Sequence, residues 1–201
     1  APMSGILPIA LADIRAAARR IAGIVQPTPL LCPHRLAEIV GVPVFLKPEN
    51  LQRTGSFKIR GAYNAVAALP PAARRRGVIT YSSGNHAQGV ARAARLLGVP
   101  AVIVMPSDAP ALKRARVEAD GAQGVIVGTA ADERQRVAEE FAEARGLAII
   151  PPYDDPRIVA GQGTAGLEIA EDMPDVAAVL VPIGGGGLAA GVCAALSALV
   201  P

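Results

Sequence analysis

A chain of 201 residues can bury one large core or two small ones without disulfide or metal staples. Hydrophobic residues make up 51% and charged residues 18%, which excludes a disordered chain. The formal charge is +3, yet the densest basic run, Arg74-Arg75-Arg76, has only three members, and there is no Trp with only three Phe and three Tyr. A nucleic-acid partner is therefore not expected, because neither a broad basic face nor a stacking platform exists. The two cysteines, Cys32 and Cys193, lack CxxC spacing and fit a reducing, cytoplasmic setting. The opening residues show no charged segment ahead of a long apolar one, so they do not read as a secretory signal.

A helical stretch over residues 9–24 comes first, and from there short β-branched runs alternate with longer helical patterns. Strands are expected at 44–47, 78–81, 101–105, 125–127, 148–150 and 179–181. Helices are expected at 56–69, 85–97, 111–120, 132–145 and 156–171, with a last one after Gly187. This alternation predicts βαβ units and a parallel sheet covered on both faces. Apolar runs such as Ala101-Val102-Ile103-Val104-Met105 fit strands buried on both sides. Forty alanines call for an aliphatic interior with closely approaching helices. Residues 176–201 carry no charge, a run longer than the roughly 20 residues of a bilayer span. Pro182 and Gly184-Gly185-Gly186-Gly187 divide it, so a buried strand, a turn and a buried helix are expected in place of a membrane segment.

Parallel sheets bind ligands at the carboxyl ends of their strands, which directs attention to three turns. The first is Thr54-Gly55-Ser56-Phe57-Lys58-Ile59-Arg60-Gly61-Ala62. Arginine occurs seventeen times in the chain and lysine only at 47, 58 and 113. Only an amine can form a Schiff base, so Lys58 is a candidate nucleophile; the plainer alternative is an exposed helix lysine. The second turn is Tyr81-Ser82-Ser83-Gly84-Asn85-His86, whose polar residues exceed what a helix cap needs and suit a carboxylate at a helix N-terminus. The third is Gly184 to Gly187, whose free backbone amides suit a phosphate, although a glycine run is often only a turn. It matches neither the dinucleotide fingerprint nor the P-loop pattern. A phosphate, an aldehyde and a carboxylate-bearing partner together describe pyridoxal phosphate with an amino acid.

The chain resembles the fold-type II pyridoxal-phosphate enzymes of the threonine dehydratase (threonine ammonia-lyase) and serine racemase family. The resemblance runs through Thr28-Pro29-Leu30, Lys47-Pro48-Glu49-Asn50-Leu51-Gln52, Gly55 to Ala62, Ser82 to Gly89, Asp154-Asp155, Gly161-Gln162-Gly163-Thr164 and the tetraglycine. It implies an α/β, tryptophan synthase β-like fold: two open three-layer α/β/α domains with mostly parallel sheets. The larger unit would comprise residues 1–76 and 154–201, with its far side missing, and the smaller residues 77–153. By the same resemblance, Lys58 would hold pyridoxal 5'-phosphate as a Schiff base and then act as the base at the substrate's α-carbon. Phe57 would pack on the cofactor ring, Asn85 would bond its phenolic oxygen, and Gly184, Gly185, Gly186 and Gly187 would hold its phosphate. Ser82, Ser83, Gly84, Asn85 and His86 would receive the substrate carboxylate, and Ser83 matches the serine that donates a proton on the opposite face in racemases.

The activity so implied is dehydration and deamination of a hydroxy amino acid such as L-threonine or L-serine. The alternatives are racemisation on the same site and a non-catalytic module of this fold. A homo-oligomer, dimer or tetramer, is also implied. The racemases' divalent-metal ligands correspond to no residue of this chain, so no metal site is assigned. His34 has no ligand partners at metal spacing and reads as a surface residue. Cys193 reads as a small buried hydrophobe, and Asp132, Glu133, Glu139, Glu140 and Glu143 as a solvated helix face.

Overall fold

The computed structural model describes residues 9–82 and 84–200. Four strands form one parallel sheet in the order β3-β2-β1-β4: β1 (Val78–Tyr81), β2 (Ala101–Pro106), β3 (Gln123–Val127) and β4 (Ala148–Ile149). Val78 stands opposite Ala101 on one side and Ala148 on the other. Helices α5 (Asn85–Leu97), α6 (Ala111–Ala119) and α7 (Ala131–Arg145) connect these strands in turn.

The two-residue period of a strand sends its side chains to opposite faces, and here each face has its own core. Val78, Ala101, Ile103 and Met105 pack with Val90 and Ala94 of α5 and Val117 of α6. Ile79, Val102 and Val104 pack with Ala138, Ala142 and Phe141 of α7. Strands covered on both sides have no polar face, which is why β2 reads as an unbroken apolar run.

A second body consists of helices: α1 (Leu11–Ile21), α3 (Lys58–Ala67), α8 (Pro156–Asp172) and α9 (Gly187–Leu199). Asp155 caps α8, its carboxylate accepting the amides of Arg157 at 2.8 Å and Ile158 at 3.3 Å, and Pro156 occupies the first turn. Glycine sets how closely these helices cross. A Cβ on Gly161 of α8 would lie 2.5 Å from the Cα of Gly61 on α3, and a Cβ on Gly191 of α9 would lie 2.5 Å from the amide nitrogen of Gly163. Short helices α2 (His34–Val40) and α4 (Pro71–Arg76) complete the chain. Among the described residues no helix is long and apolar enough to cross a membrane.

Two expected strands are absent. Residues 44–47 contribute one antiparallel bridge, Leu31 to Leu46, because the neighbouring chain turns into two 3-10 turns, Glu49–Leu51 and Arg53–Gly55. Residues 179–181 form no strand and pair with none, and Leu180 is 93% exposed with Ile183 at 75%. Their apolar character suits a buried strand, but no described strand lies alongside to bond them. Cys193 is exposed rather than buried, since it sits on the uncovered side of α9.

Candidate active site

β1 is reached from both sides of the sheet: the chain passes outward through β2 and β3, then returns to place β4 on the other flank of β1. The carboxyl ends of β1 and β4 therefore form the switch point where such sheets leave a ligand crevice. Three segments meet there: the turn after β1, the segment of residues 150–153 after β4, and the start of α3.

Lys58 is the first residue of α3 and half-buried, and its Nζ donates to the carbonyl oxygen of Pro152 at 2.6 Å. Burial lowers its pKa below the ordinary lysine value, which increases the fraction of neutral, nucleophilic amine. The Phe57 ring centroid lies 5.4 Å from that nitrogen. The start of α3 is fixed by Arg60, which is fully buried. Its guanidinium donates to both oxygens of Glu49 at 2.8 Å and to Glu168 at 2.6 and 2.9 Å. Lys47 pairs with Glu168 at 2.5 Å, and Thr28 donates to Glu49 at 2.7 Å. The scattered motif residues Thr28, Lys47, Glu49 and Arg60 thus form one charge network that locks α3 to α8 and to the 3-10 turns.

The turn after β1 is held by the Ser82 amide donating to Val104 at 3.1 Å and by Ser82 Oγ accepting from the Gly84 amide at 3.2 Å. Asn85 opens α5 and is exposed, while His86 behind it is 2% exposed. His86 Nε2 meets the carbonyl oxygen of Ile150 at 3.0 Å. A carbonyl only accepts, so Nε2 carries the proton, and Nδ1 is left without a partner among the described residues. Burial pushes the ring's pKa down to about 4; the Ile150 hydrogen bond opposes this, and the charge of Lys58 adds to it. The imidazole is neutral at pH 7. Ser83 lies outside the described residues.

Gly184 to Gly187 form the loop entering α9, with Gly186 at φ 85°, a left-handed backbone that favours glycine. The loop follows the unpaired segment, not a strand as expected, and reaches the crevice through Tyr153. The Tyr153 ring occupies the space that a Cβ on Gly185 would need, and its carbonyl oxygen would lie 3.0 Å from a Cβ on Gly187. Residues 150–153 thus touch His86, Lys58 and the glycine loop in succession. Tyr153 is the site residue the sequence did not single out; its only signal was Pro151-Pro152 closing an apolar strand.

The remaining candidates fall elsewhere. His34 is solvent-exposed and pairs with Glu38 at 3.2 Å on the same helix. Asp132, Glu139, Glu140 and Glu143 are exposed on α7, with Glu133 half-buried beside them. Among the described residues no cluster of three or more His, Cys, Asp or Glu side chains could hold a metal ion.

Residues 21–201 match the family described as pyridoxal-phosphate dependent enzyme. The L-threonine ammonia-lyase of Thermotoga maritima is 49% identical over 193 residues, covering 96% of this chain and 48% of that protein. An L-threo-3-hydroxyaspartate ammonia-lyase of Pseudomonas sp is 47% identical, covering 94% and 59%. The structure of maize serine racemase superposes with a TM-score of 0.93 at 40% identity, covering 95% of this chain and 58% of that one. The chain thus spans about half the length of the curated relatives it matches. With the parallel α/β sheet and the lysine at its switch point, these likenesses make the chain a member of the fold-type II pyridoxal-phosphate-dependent enzymes.

Proposed function

We propose that this chain carries the cofactor-binding and proton-transfer residues of a pyridoxal-phosphate-dependent lyase. It converts a hydroxy amino acid, such as L-threonine or L-serine, into a 2-oxo acid and ammonia. The observation that carries the reading is Lys58: a half-buried amine with a lowered pKa, aimed into the crevice between the ends of β1 and β4.

The residues fit the group. Lys58 offers the amine for a Schiff base, Phe57 a ring face beside it, and Asn85 an exposed amide at the mouth of the same crevice. Gly184, Gly185, Gly186 and Gly187 offer backbone amides with no side chains of their own, on a loop that packs against Tyr153. Bound there, pyridoxal phosphate supplies an electron sink that acidifies the substrate's α-carbon. Lys58 Nζ, whose pKa burial lowers from the ordinary lysine value, takes the α-proton. Ser82, Ser83, Gly84, Asn85 and His86, at the positive end of α5, orient the substrate carboxylate. The β-hydroxyl leaves with a proton as water, and the released enamine hydrolyses to the 2-oxo acid and ammonia. The neutral His86 places no competing charge beside Lys58.

The likeness to maize serine racemase supports a second reading, in which Ser83 returns a proton to the opposite face and the product is the D-isomer. We also propose that residues 77–153 act as the smaller α/β unit and residues 1–76 with 154–201 as the larger, that the protein works as a homo-oligomer, and that it works in the cytoplasm, a reading that the free Cys32 and Cys193 support. Exposed apolar residues such as Ile39, Val42 and Leu180 support the oligomer.

The test is to add pyridoxal phosphate to the purified chain and to Lys58→Ala. The folded wild-type chain should develop Schiff-base absorbance and the variant should not; a folded wild-type chain that stays colourless overturns the reading. Incubation with L-threonine and L-serine, assayed for both 2-oxo acid and D-isomer, separates lyase from racemase.

A further inference from the structure

All three lysines of the chain have a defined place. Lys47 is held by Glu168 and by the carbonyl of Thr28 at 2.6 Å, and Lys58 by the carbonyl of Pro152. Lys113, in the first turn of α6, forms no ion pair or side-chain hydrogen bond among the described residues. Its ammonium nevertheless stands at the crevice: a Cβ built on Gly84 would lie 3.1 Å from Lys113 Nζ. The placement follows from the sheet. β2 is the neighbour of β1, so the helix that follows β2 begins beside the turn that follows β1, and the Ser82 amide bonded to Val104 ties the two together. The ammonium of this partly buried lysine therefore lies beside Gly84, the residue that precedes α5, whose first amides have no acceptor within their own helix. Hydrogen-bond donors and a positive charge on two separate elements converge on one spot with no carboxylate from the described residues to neutralise them.

We propose that Lys113 is a substrate-positioning residue: its Nζ supplies the cationic partner of the amino-acid carboxylate bound at the Ser82 to His86 turn. The inference rests on the proposed function for the identity of the ligand as an amino acid. The turn's amides and the α5 dipole fix the direction of the carboxylate, and Lys113 adds the full charge that a dipole lacks. Glycine at 84 keeps the path between them open, since any larger side chain would displace the ammonium. Lys113 lies on the sheet side of the crevice with α5, whereas Lys58 comes from the helical body, so binding the carboxylate at one and reacting at the other joins the two bodies across a single small molecule.

The experiment titrates the isotope-labelled chain with L-threonine and, separately, with sodium acetate at fixed ionic strength, following the backbone amide shifts of Gly84, Asn85 and His86. Lys113→Met, Lys113→Arg and the charge-matched control Arg136→Met, on the exposed side of α7, are measured alongside. The apparent Kd should rise about tenfold or more in Lys113→Met, as loss of a charged hydrogen bond requires. It should recover most of that loss in Lys113→Arg and stay unchanged in Arg136→Met. Equal affinity in wild type and Lys113→Met, an equal loss in Arg136→Met, or no wild-type shift with either ligand overturns the inference. A chain that binds acetate through Lys113 yet takes no colour from pyridoxal phosphate sinks the proposed function and leaves this inference standing. Colour with a Lys113-independent carboxylate affinity does the reverse.

Discussion

Protonating His86 is the sharpest test of how the crevice is built. The ring's pKa is about 4 in the folded chain against 6.5 for an unperturbed histidine, with burial as the leading cause. Between those values the unfolded chain binds the proton and the folded chain does not, so stability must rise with pH across this window. The contribution is fully present above about pH 6.5 and is lost as the pH falls towards 4. A gap of about 2.5 pH units corresponds to roughly 3 kcal/mol, of which about 2.4 kcal/mol falls between pH 7 and pH 4.5. The comparison is with His86→Gln, whose side-chain amide can still donate to Ile150 but does not titrate. Urea unfolding of both proteins at pH 7, 6, 5 and 4.5 should show wild type losing about 2 kcal/mol more than the variant over that range. Parallel stability curves would refute a buried, neutral His86. A wild type that gains stability as the pH falls would mean that the ring is charged in the folded state.

Other perturbations read the scaffold that holds the site. Arg60→Met leaves Glu49 and Glu168 facing each other without the guanidinium between them, and should cost about 3 kcal/mol in urea unfolding; a loss under about 1 kcal/mol would show that Lys47 alone suffices. Gly161→Ala drives a methyl against Gly61 on α3 and should cost about 1–3 kcal/mol. Gly124→Ala, in open space on β3, should change stability by less than about 1 kcal/mol. Equal losses at the two positions would argue against close crossing of α3 and α8.

Sequence alone was sufficient for elements whose signals are local. The strand 78–81 and the helix 85–97 have the expected bounds because a short β-branched run, a polar turn and an alanine-rich amphipathic period all lie within the segment. The alternation of such segments also determined that the sheet would be parallel, since a helix between two strands brings the chain back in the same direction. Lys58 was visible because lysine is rare in an arginine-rich chain, and the turn at 82–86 because its polarity exceeds what a cap needs.

Tertiary structure decided whatever depends on a partner distant in sequence. Residues 44–47 and 179–181 have strand composition, but a strand exists only where another edge bonds it, and periodicity carries no information about that edge. Cys193 has a buried residue's chemistry on an uncovered helix face. Residues 150–153 carry no motif at all, and they gain significance only because strand order places β4 beside β1, where their carbonyls receive Lys58 and His86. Lys113 enters the site for the same reason. The residue types fix which chemistry is possible, whereas the order of strands in the sheet fixes which groups share a crevice, because that order is set by packing between segments and not by any segment alone.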